Sequence, residues 1–377
     1  MSQDDWQGDW QGDVLRSLRG LTDGLDGLDR LGTPGEPADR RPAPEPPVPP
    51  APAPAPVAEP VPRPLPTPVT MELPLPDELV KGKPLSGDSA ARRTSRSLRR
   101  LVGSSATREV EEATRVAQAL QQPLTTGRQI VVTSIRGGAG KTTVTALLGR
   151  TYAHYRQDPV LMLEADPALG TLPARLGVTK VRWTTSDLAR ILNPSMQLTD
   201  VVGYLVQLPD RGWLLPCGQG RVGNRLELED YRAAMVALRR YFGITVVDCE
   251  TLPAEVSRTA LVAAQARVLV TPATAEGVTS TRAVLDWMAS LGRPGMLAGT
   301  VVLVTASSPH MTTTLDVTAA SEHLRLDGVR VMTLPYDRHL AAGGPIRTGL
   351  LGQDTHEAVT GLAAEVLTRA MGRRGPS

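Results

Sequence analysis

A glycine-rich stretch, SIRGGAGKTT, occupies residues 134–143 and follows an apolar run. Glycine has no Cβ, so the backbone of such a stretch can approach phosphate oxygens closely. The N–H groups of the turn, and of the helix that it begins, favour a bound anion. Lys141 would neutralise phosphate charge, and the Thr142 hydroxyl would reach Mg²⁺. The stretch therefore predicts a nucleotide site with seven contacting residues: Gly137, Gly138, Ala139, Gly140, Lys141, Thr142 and Thr143.

Two acidic residues end apolar runs and could serve the same site. Asp248 ends ITVVD and Asp166 ends VLMLEAD. Asp248 is placed to hold Mg²⁺ through water, and Asp166 to orient the water that attacks a γ-phosphate. Glu164 points to the same side of its strand as Asp166 and is a candidate for a bond to the loop. A lone aspartate after a strand is often a helix N-cap, but two beside such a loop favour the metal and water roles.

The elements that position these residues alternate between strand and helix from Gln129 onward. Continuous apolar runs such as QIVVTSI indicate strands buried on both faces. Strands separated by helices predict an α/β fold with a mainly parallel, doubly wound sheet and helices on both faces. Ligands bind such sheets at the carboxyl ends of the strands. Further strands are predicted at PVLMLEAD, GWLLPCG, GITVVDCE, ARVLVTPA, GTVVLVTAS and RVMTLPYD, and helices at 141–155, LARIL, LEDYRAAMVALRRYF, GVTSTRAVLDWMASL and THEAVTGLAAEVLTRAMGRR.

The chain before this domain has a different composition. Nineteen of the 33 prolines of the whole chain fall between residues 34 and 84, which predicts an extended tether, either a spacer or a ligand for an aromatic groove. Leucines at 15–28 indicate either a short partner-binding motif or disorder. Residues 89–122 are predicted to be helical. The arginine cluster at 92–100, near the start of this range, is either solvated linker or an anion-binding surface. One helix face would carry Val110, Ala113, Val116, Ala117 and Leu120.

These patterns divide the chain into three parts. Residues 1–88 are predicted to be a disordered acidic and then proline-rich tail, 89–127 a basic helical connector, and 128–372 the nucleotide-binding domain. The net charge is +2, and no stretch reaches the roughly 20 apolar residues that span a bilayer. The N-terminus lacks the apolar core of a signal peptide. We therefore expect a cytoplasmic protein without membrane insertion, in which Cys217 and Cys249 are reduced, buried thiols.

Four ordered motifs, RGGAGKTT, LEADPALGTL, VVDCETLP and LPYDRHLAAGGP, resemble those of the MinD/ParA family of deviant Walker ATPases. The resemblance covers roughly residues 128–370. It implies a P-loop NTPase fold of the SIMIBI class and an ATP-hydrolysing homodimer that encloses two Mg·ATP face to face. Matched by position, Lys141 would be the phosphate lysine, Thr142 and Asp248 the Mg²⁺ ligands, and Asp166 the switch I acid.

The chain departs from the family pattern at three positions. Arg136 stands where the family has a signature lysine that reaches the partner's phosphates; because arginine keeps the charge and can grip phosphate, Arg136 is a catalytic candidate. Glu164 replaces an aspartate. Thr305 stands where an asparagine often reads adenine, and Pro335 begins the P-x-D segment of the last motif, so both are implied nucleotide contacts. The chain lacks the N/T-K-x-D motif of guanine-specific relatives, which favours ATP.

The resemblance leaves the partner open. A proline-rich region ahead of such a domain is similar to the EspI-type proteins of actinobacterial type VII secretion. In that hypothesis the tail contacts secretion machinery and the ATPase sits at the periphery of a membrane complex. The alternatives are a ParA-like partitioning or cell-positioning ATPase that binds DNA, a nucleotide-binding scaffold with little turnover, and a metabolic P-loop enzyme. The C-terminal helix is predicted to pack on the sheet rather than lie on a membrane.

Overall fold

A computed structural model of the chain describes residues 65–67, 69–72, 84–88, 106–167, 170–218, 225–293, 295–309 and 315–372, with the backbone alone for 106–109. Apart from Leu65, these residues belong to one compact unit, Pro66–Ser377. The predicted leucine motif at 15–28, the arginine cluster at 92–100 and most of the proline tract lie outside the described residues.

Ten strands occur in the described part of the chain. They are β1 (Met71–Glu72), β2 (Arg128–Thr133), β3 (Val160–Ala165), β4 (Lys180–Val181), β5 (Val206–Gln207), β6 (Trp213–Leu215), β7 (Ile244–Cys249), β8 (Ala266–Pro272), β9 (Thr300–Thr305) and β10 (Arg330–Leu334). Eight of them form one sheet in the order β10-β9-β8-β2-β7-β3-β6-β5. All neighbours in this sheet are parallel except the antiparallel pair β5 and β6.

Helices connect most of these strands. They are α1 (Ala106–Leu120), α2 (Lys141–Tyr155), α3 (Leu172–Arg175), α4 (Thr185–Ile191), α5 (Leu198–Val202), α6 (Leu228–Leu238), α7 (Glu255–Ala263), α8 (Ala275–Ser290), α9 (Val317–His323), α10 (Arg338–Ala341) and α11 (Gln353–Ala370), with a 3₁₀ helix at Thr348–Leu350. The predicted helix at 141–155 has these same bounds. Helices α3, α5, α7, α9 and α10 were not predicted.

Helices cover both faces of the sheet because the central strands are apolar on both sides. In β2, Ile130 and Val132 belong to the core that includes residues of α2 and α11. Val131 points to the opposite face and belongs to the core that includes residues of α6 and α7. This alternation along one strand confirms the predicted doubly wound α/β fold.

The C-terminal helix α11 packs on the sheet, as the sequence predicts. The predicted stripe is buried along its length: Val359, Leu362, Ala363, Val366 and Leu367. None of the described helices is long and apolar enough to cross a membrane. Cys217 and Cys249 are both unpaired and buried, which confirms the prediction of thiols.

Helix α1, in the predicted connector, is fastened to the nucleotide-binding domain at its C-terminal end. Arg156 is 5% exposed, and its guanidinium donates hydrogen bonds to the carbonyls of Leu120 (2.5 Å) and Gln122 (2.9 Å). The predicted apolar face is only partly buried. Leu120 is fully buried, whereas Val110 is 65% exposed. The described start of this helix is therefore exposed, whereas its end is packed against the core.

Part of the predicted tail also contacts the domain. Strand β1 pairs antiparallel with β4, with Met71 opposite Val181. The backbone N–H of Gly87 donates to the carbonyl of Leu350 (2.7 Å). Described residues of the predicted tail thus contact the nucleotide-binding unit, and proline-rich composition carries no information about such long-range pairing.

Candidate nucleotide-binding site

The glycine-rich loop connects β2 to α2 at the carboxyl edge of the sheet. Gly138 and Gly140 adopt left-handed backbone conformations, with φ of 73° and 95°, and Gly140 is the N-cap of α2. A Cβ added at Gly137, Gly138 or Gly140 would meet no atom within 4 Å. The loop is therefore an open backbone cradle that side chains would fill. At the N-terminus of a long helix, such a cradle is suited to phosphate.

Lys141 and Thr142, the first residues of α2, face a neighbouring strand end. The Lys141 ammonium donates to the hydroxyl of Thr251 (3.1 Å), just past β7. Burial raises the pKa of both Asp248 and Glu250, and the positive charge of Lys141 offsets part of this rise. The lysine therefore lies between the loop and the acidic residues, where it can neutralise phosphate charge.

Asp248 is fully buried within β7 and lies beside the start of α2. Its Oδ1 accepts a hydrogen bond from the Thr145 hydroxyl (3.2 Å), and the Thr142 hydroxyl also favours its ionised form. Among the described residues, Oδ2 has no hydrogen-bond partner of normal geometry. Burial raises the pKa of Asp248 to about 7. A buried carboxylate oxygen without a partner, next to a threonine hydroxyl and a phosphate cradle, fits a bound Mg²⁺.

Asp166 follows β3 and is half-buried at the same edge. Its negative charge raises the pKa of three neighbouring carboxyl groups, those of Glu164, Asp248 and Glu250, although burial is the larger cause for each. The predicted pair of strand-end acids is therefore brought together. Glu250, which was not predicted, joins them because it directly follows β7.

Glu164 occupies a different position from the one expected. It lies opposite Asp248 in the pairing of β3 with β7 and is 2% exposed. Its two oxygens accept hydrogen bonds from the backbone N–H groups of Leu172 (3.0 Å) and Cys217 (3.2 Å). Burial first, and then the charge of Asp248, raise its pKa to about 8. Instead of bonding to the glycine-rich loop, it joins the segment after Asp166 to the segment after β6.

Arg136 lies within the loop, and its side chain turns towards α8. Its Nε donates to the hydroxyl of Ser280 (3.2 Å), and that hydroxyl donates to the Glu276 carbonyl (2.6 Å). Ser280 is 6% exposed. The arginine is therefore held by a helix of its own chain, a contact that the sequence pattern did not predict.

A cavity of about 220 Å³ extends from the loop to the ends of β9 and β10. Thr305 and Pro335 both line it, together with Arg175 and Asp337. The Thr305 hydroxyl donates to the loop carbonyl of Ala139 (2.8 Å), so it supports the loop as well as lining the cavity. The remaining walls are largely apolar, as a cavity for a planar base would be.

The residues of this site that the sequence pattern did not identify include Arg175, Glu250, Thr251 and Asp337. Glu250 and Thr251 follow Asp248 in the VVDCETLP motif, and Asp337 lies within LPYDRHL, so proximity to a motif was an available signal. Arg175 had none. Its guanidinium donates to the carbonyls of Leu340 (3.2 Å) and Gly344 (3.3 Å), and it reaches the cavity from α3.

A parallel sheet with a phosphate cradle, a buried acid and a base-sized cavity at its carboxyl edge defines a nucleotide-binding protein of the P-loop class. The model of the CobQ/CobB/MinD/ParA nucleotide binding domain matches residues 130–342, more than half of the chain. The chain therefore belongs to the CobQ/CobB/MinD/ParA family.

Among curated proteins, the chain is similar to the ESX-1 secretion-associated protein EspI of Mycobacterium tuberculosis. The two are 28% identical over 242 residues, which is 63% of this chain and 36% of that protein. The chain thus matches only about a third of this relative's length.

Solved structures of the family share the fold. A ParA family ATPase from Chlorobium tepidum superposes with a TM-score of 0.51 at 13% identity, covering 63% of this chain and 98% of that one. The septum site-determining protein MinD from Pyrococcus horikoshii, complexed with Mg-ADP, superposes with a TM-score of 0.50 at 21% identity, covering 64% and 96%. At these identities the likeness concerns the fold alone.

Proposed function

We propose that the chain is an ATP-binding and ATP-hydrolysing molecular switch that dimerises around Mg·ATP and regulates a macromolecular partner. One observation carries the proposal: the buried Asp248 leaves Oδ2 without a partner, beside Thr142 and the open glycine cradle. This arrangement is suited to a Mg²⁺-bound triphosphate. The MinD structure complexed with Mg-ADP supports the same ligand class by its fold.

The residues of the site divide the work of phosphoryl transfer among them. The cradle would bind phosphate oxygens through backbone N–H groups, and Lys141 would neutralise their charge. Thr142 and Asp248 would hold Mg²⁺, which stabilises charge on the β- and γ-phosphates. Asp166 would orient the attacking water. Pro335 and Thr305 line the cavity that would hold the base.

Arg136 would supply a further positive charge to the phosphates. Its Nε donates to Ser280 of its own chain at 3.2 Å, which orients the guanidinium towards α8. This contact favours the alternative of a nucleotide-binding scaffold with little turnover. The two possibilities differ in whether ATP changes the mass of the protein in solution.

Light scattering after gel filtration tests the switch with Mg·ATP. We expect ATP to convert the wild-type monomer to a dimer, Asp166→Ala to trap that dimer by preventing hydrolysis, and Lys141→Ala to remain monomeric. Arg136→Ala reports whether the arginine is needed for dimerisation. Lys180→Ala and Asp286→Ala are matched controls, since both side chains are more than half exposed and make only surface ion pairs.

The outcomes separate the two functions. A mass that ATP leaves unchanged, with little phosphate released, would contradict the switch and support the scaffold. If ATP drives dimerisation but no phosphate is released, the proposed role of Asp166 in hydrolysis is contradicted. The proposed dimerisation is not.

The partner that we propose is a type VII secretion complex, contacted through the N-terminal tail. The similarity to a protein named as ESX-1 secretion-associated supports it, over 36% of that protein's length. The test is whether the full chain binds purified secretion-complex ATPase in the presence of Mg·ATP and loses that binding when residues 1–64 are deleted. Binding to double-stranded DNA instead would support the partitioning alternative.

A further inference from the structure

A short segment ahead of the nucleotide-binding domain, residues 84–88, here called the strap, packs beside the candidate base cavity. The Gly87 N–H donates to the Leu350 carbonyl (2.7 Å). The Asp88 carboxylate accepts a hydrogen bond from the N–H of Gln353 (3.2 Å), the first residue of α11. Gly87 and Asp88 thus hold the strap against the part of the chain that leads from β10 to the first residue of α11.

The closest approach is at Gly87 and requires glycine. A Cβ added there would lie 2.2 Å from Oδ2 of Asp337 and 2.3 Å from the backbone nitrogen of Gly352. Cβ atoms do not approach other heavy atoms this closely, so any other residue would displace the strap or the Asp337 carboxylate.

Asp337 links the strap to the cavity. It is 3% exposed, and its Oδ1 accepts hydrogen bonds from the N–H groups of His339 (2.8 Å) and Leu340 (3.1 Å), which caps α10. Its Oδ2 accepts from the Gly352 N–H (2.8 Å). Asp337 itself, with Leu340 and Ala341 of α10, lines the cavity. The carboxylate that the strap covers therefore also fixes one wall of the cavity.

We propose that the strap positions this wall for the nucleotide base, so that docking of the strap and binding of the base are thermodynamically linked. The inference rests on the proposed function, because it takes ATP as the ligand. Linkage is reciprocal: a docked strap strengthens ATP binding, and bound ATP stabilises the docked strap.

Calorimetric titration of the full chain with two magnesium-bound probes tests the proposal. AMPPNP contains the base, whereas inorganic triphosphate contacts only the cradle. We expect Gly87→Val to weaken AMPPNP binding about tenfold, within the usual range of coupling between sites, and to leave triphosphate binding unchanged. Asp88→Ala, which removes the carboxylate that accepts from the Gln353 N–H, should weaken AMPPNP binding in the same selective way but less. It keeps the test valid if Gly87→Val fails to fold.

Gly349→Ala is the matched control, because Gly349 adjoins Leu350 and a Cβ there meets no atom within 4 Å. It should bind both probes as the wild type does. In the wild type, AMPPNP should slow hydrogen exchange at the Gly87 amide. Equal losses for both probes, or AMPPNP affinity unchanged in both strap variants, would overturn the inference. Failure of the wild type to bind AMPPNP would instead overturn the proposed function.

Discussion

The carboxylates of the site are the residues whose chemistry depends most on their surroundings. Glu164 and Asp248 lie opposite each other on adjacent strands and are both buried. Burial, the larger cause in each case, raises the pKa of Glu164 to about 8 and that of Asp248 to about 7. Without a cation, the folded protein therefore holds protons near neutral pH that an unfolded chain would release.

This proton binding makes a prediction about stability. The Glu164 carboxyl ionises near pH 4.5 when unfolded and near pH 8 when folded, so between these values the folded state binds more protons. Its contribution to the free energy of unfolding must then decrease as pH rises from about 4.5 to 8. We expect Glu164→Gln to remove this part of the pH dependence. Urea unfolding across that range, without nucleotide or Mg²⁺, measures it.

The control for this comparison is Glu112→Gln, since the Glu112 side chain is 62% exposed and should keep the wild-type slope. The difference between variants is the informative quantity, because burial lowers the pKa of His339 and thereby contributes with the opposite sign. A Glu164→Gln slope equal to that of the wild type would show that Glu164 is ionised throughout.

At the scale of elements, helix α1 packs against the domain through Val116, Ala119 and Leu120, and Arg156 of the domain binds its C-terminal end. The Arg156 guanidinium satisfies the carbonyls of Leu120 and Gln122 and pairs with Asp158. Lysine could not do this as well, because the planar guanidinium donates in several fixed directions. The C-terminal end of α1 is thus set by tertiary contacts rather than by helix propensity alone.

We expect Arg156→Met to lower the free energy of unfolding by about 2–3 kcal/mol, because it removes the guanidinium that donates to the buried Leu120 carbonyl and pairs with Asp158. Hydrogen exchange should accelerate in α1 more than in the sheet. Urea unfolding and exchange mass spectrometry measure the two effects. The paired control is Arg115→Met on α1 itself, where the ion pair with Glu112 is exposed and worth at most about 1 kcal/mol. Equal losses in both variants would contradict the capping role.

At the scale of the whole molecule, the order of strands in the sheet predicts which strands resist local unfolding most. Strand β2 is paired on both sides, with β7 and β8, and Ile130, Val131 and Val132 are fully buried. In the described part of the chain, β10 pairs with β9 alone and is only partly buried. Local opening therefore costs less at β10 than at β2.

Hydrogen exchange of the nucleotide-free protein checks this prediction. We expect amides of 128–133 to exchange more than about a hundredfold more slowly than those of 330–334, after correction for the rates of the unfolded chain. Equal protection of the two strands would mean that the sheet opens only as one unit.

The sequence by itself determined the local parts of this protein. Apolar runs identified the buried strands, and the glycines with Lys141 identified the loop, because backbone approach and helix start depend on a few adjacent residues. The two strand-end acids followed from the parallel fold, since parallel strands end at one edge. Helix α7 was not predicted, although Val256, Ala260 and Leu261 are buried on one of its faces at helical spacing.

Only the tertiary structure decided which distant segments meet. Arg175 and Asp337 reach one cavity from positions more than 150 residues apart, and Gly87 closes on Leu350 across an even longer separation. Glu164 accepts hydrogen bonds from backbone N–H groups outside its own strand, and Arg136 donates a hydrogen bond to Ser280. Such contacts depend on how the sheet is ordered and how its loops pack. Composition, periodicity and motif spacing describe residues that are close together in the sequence, so they do not carry that information.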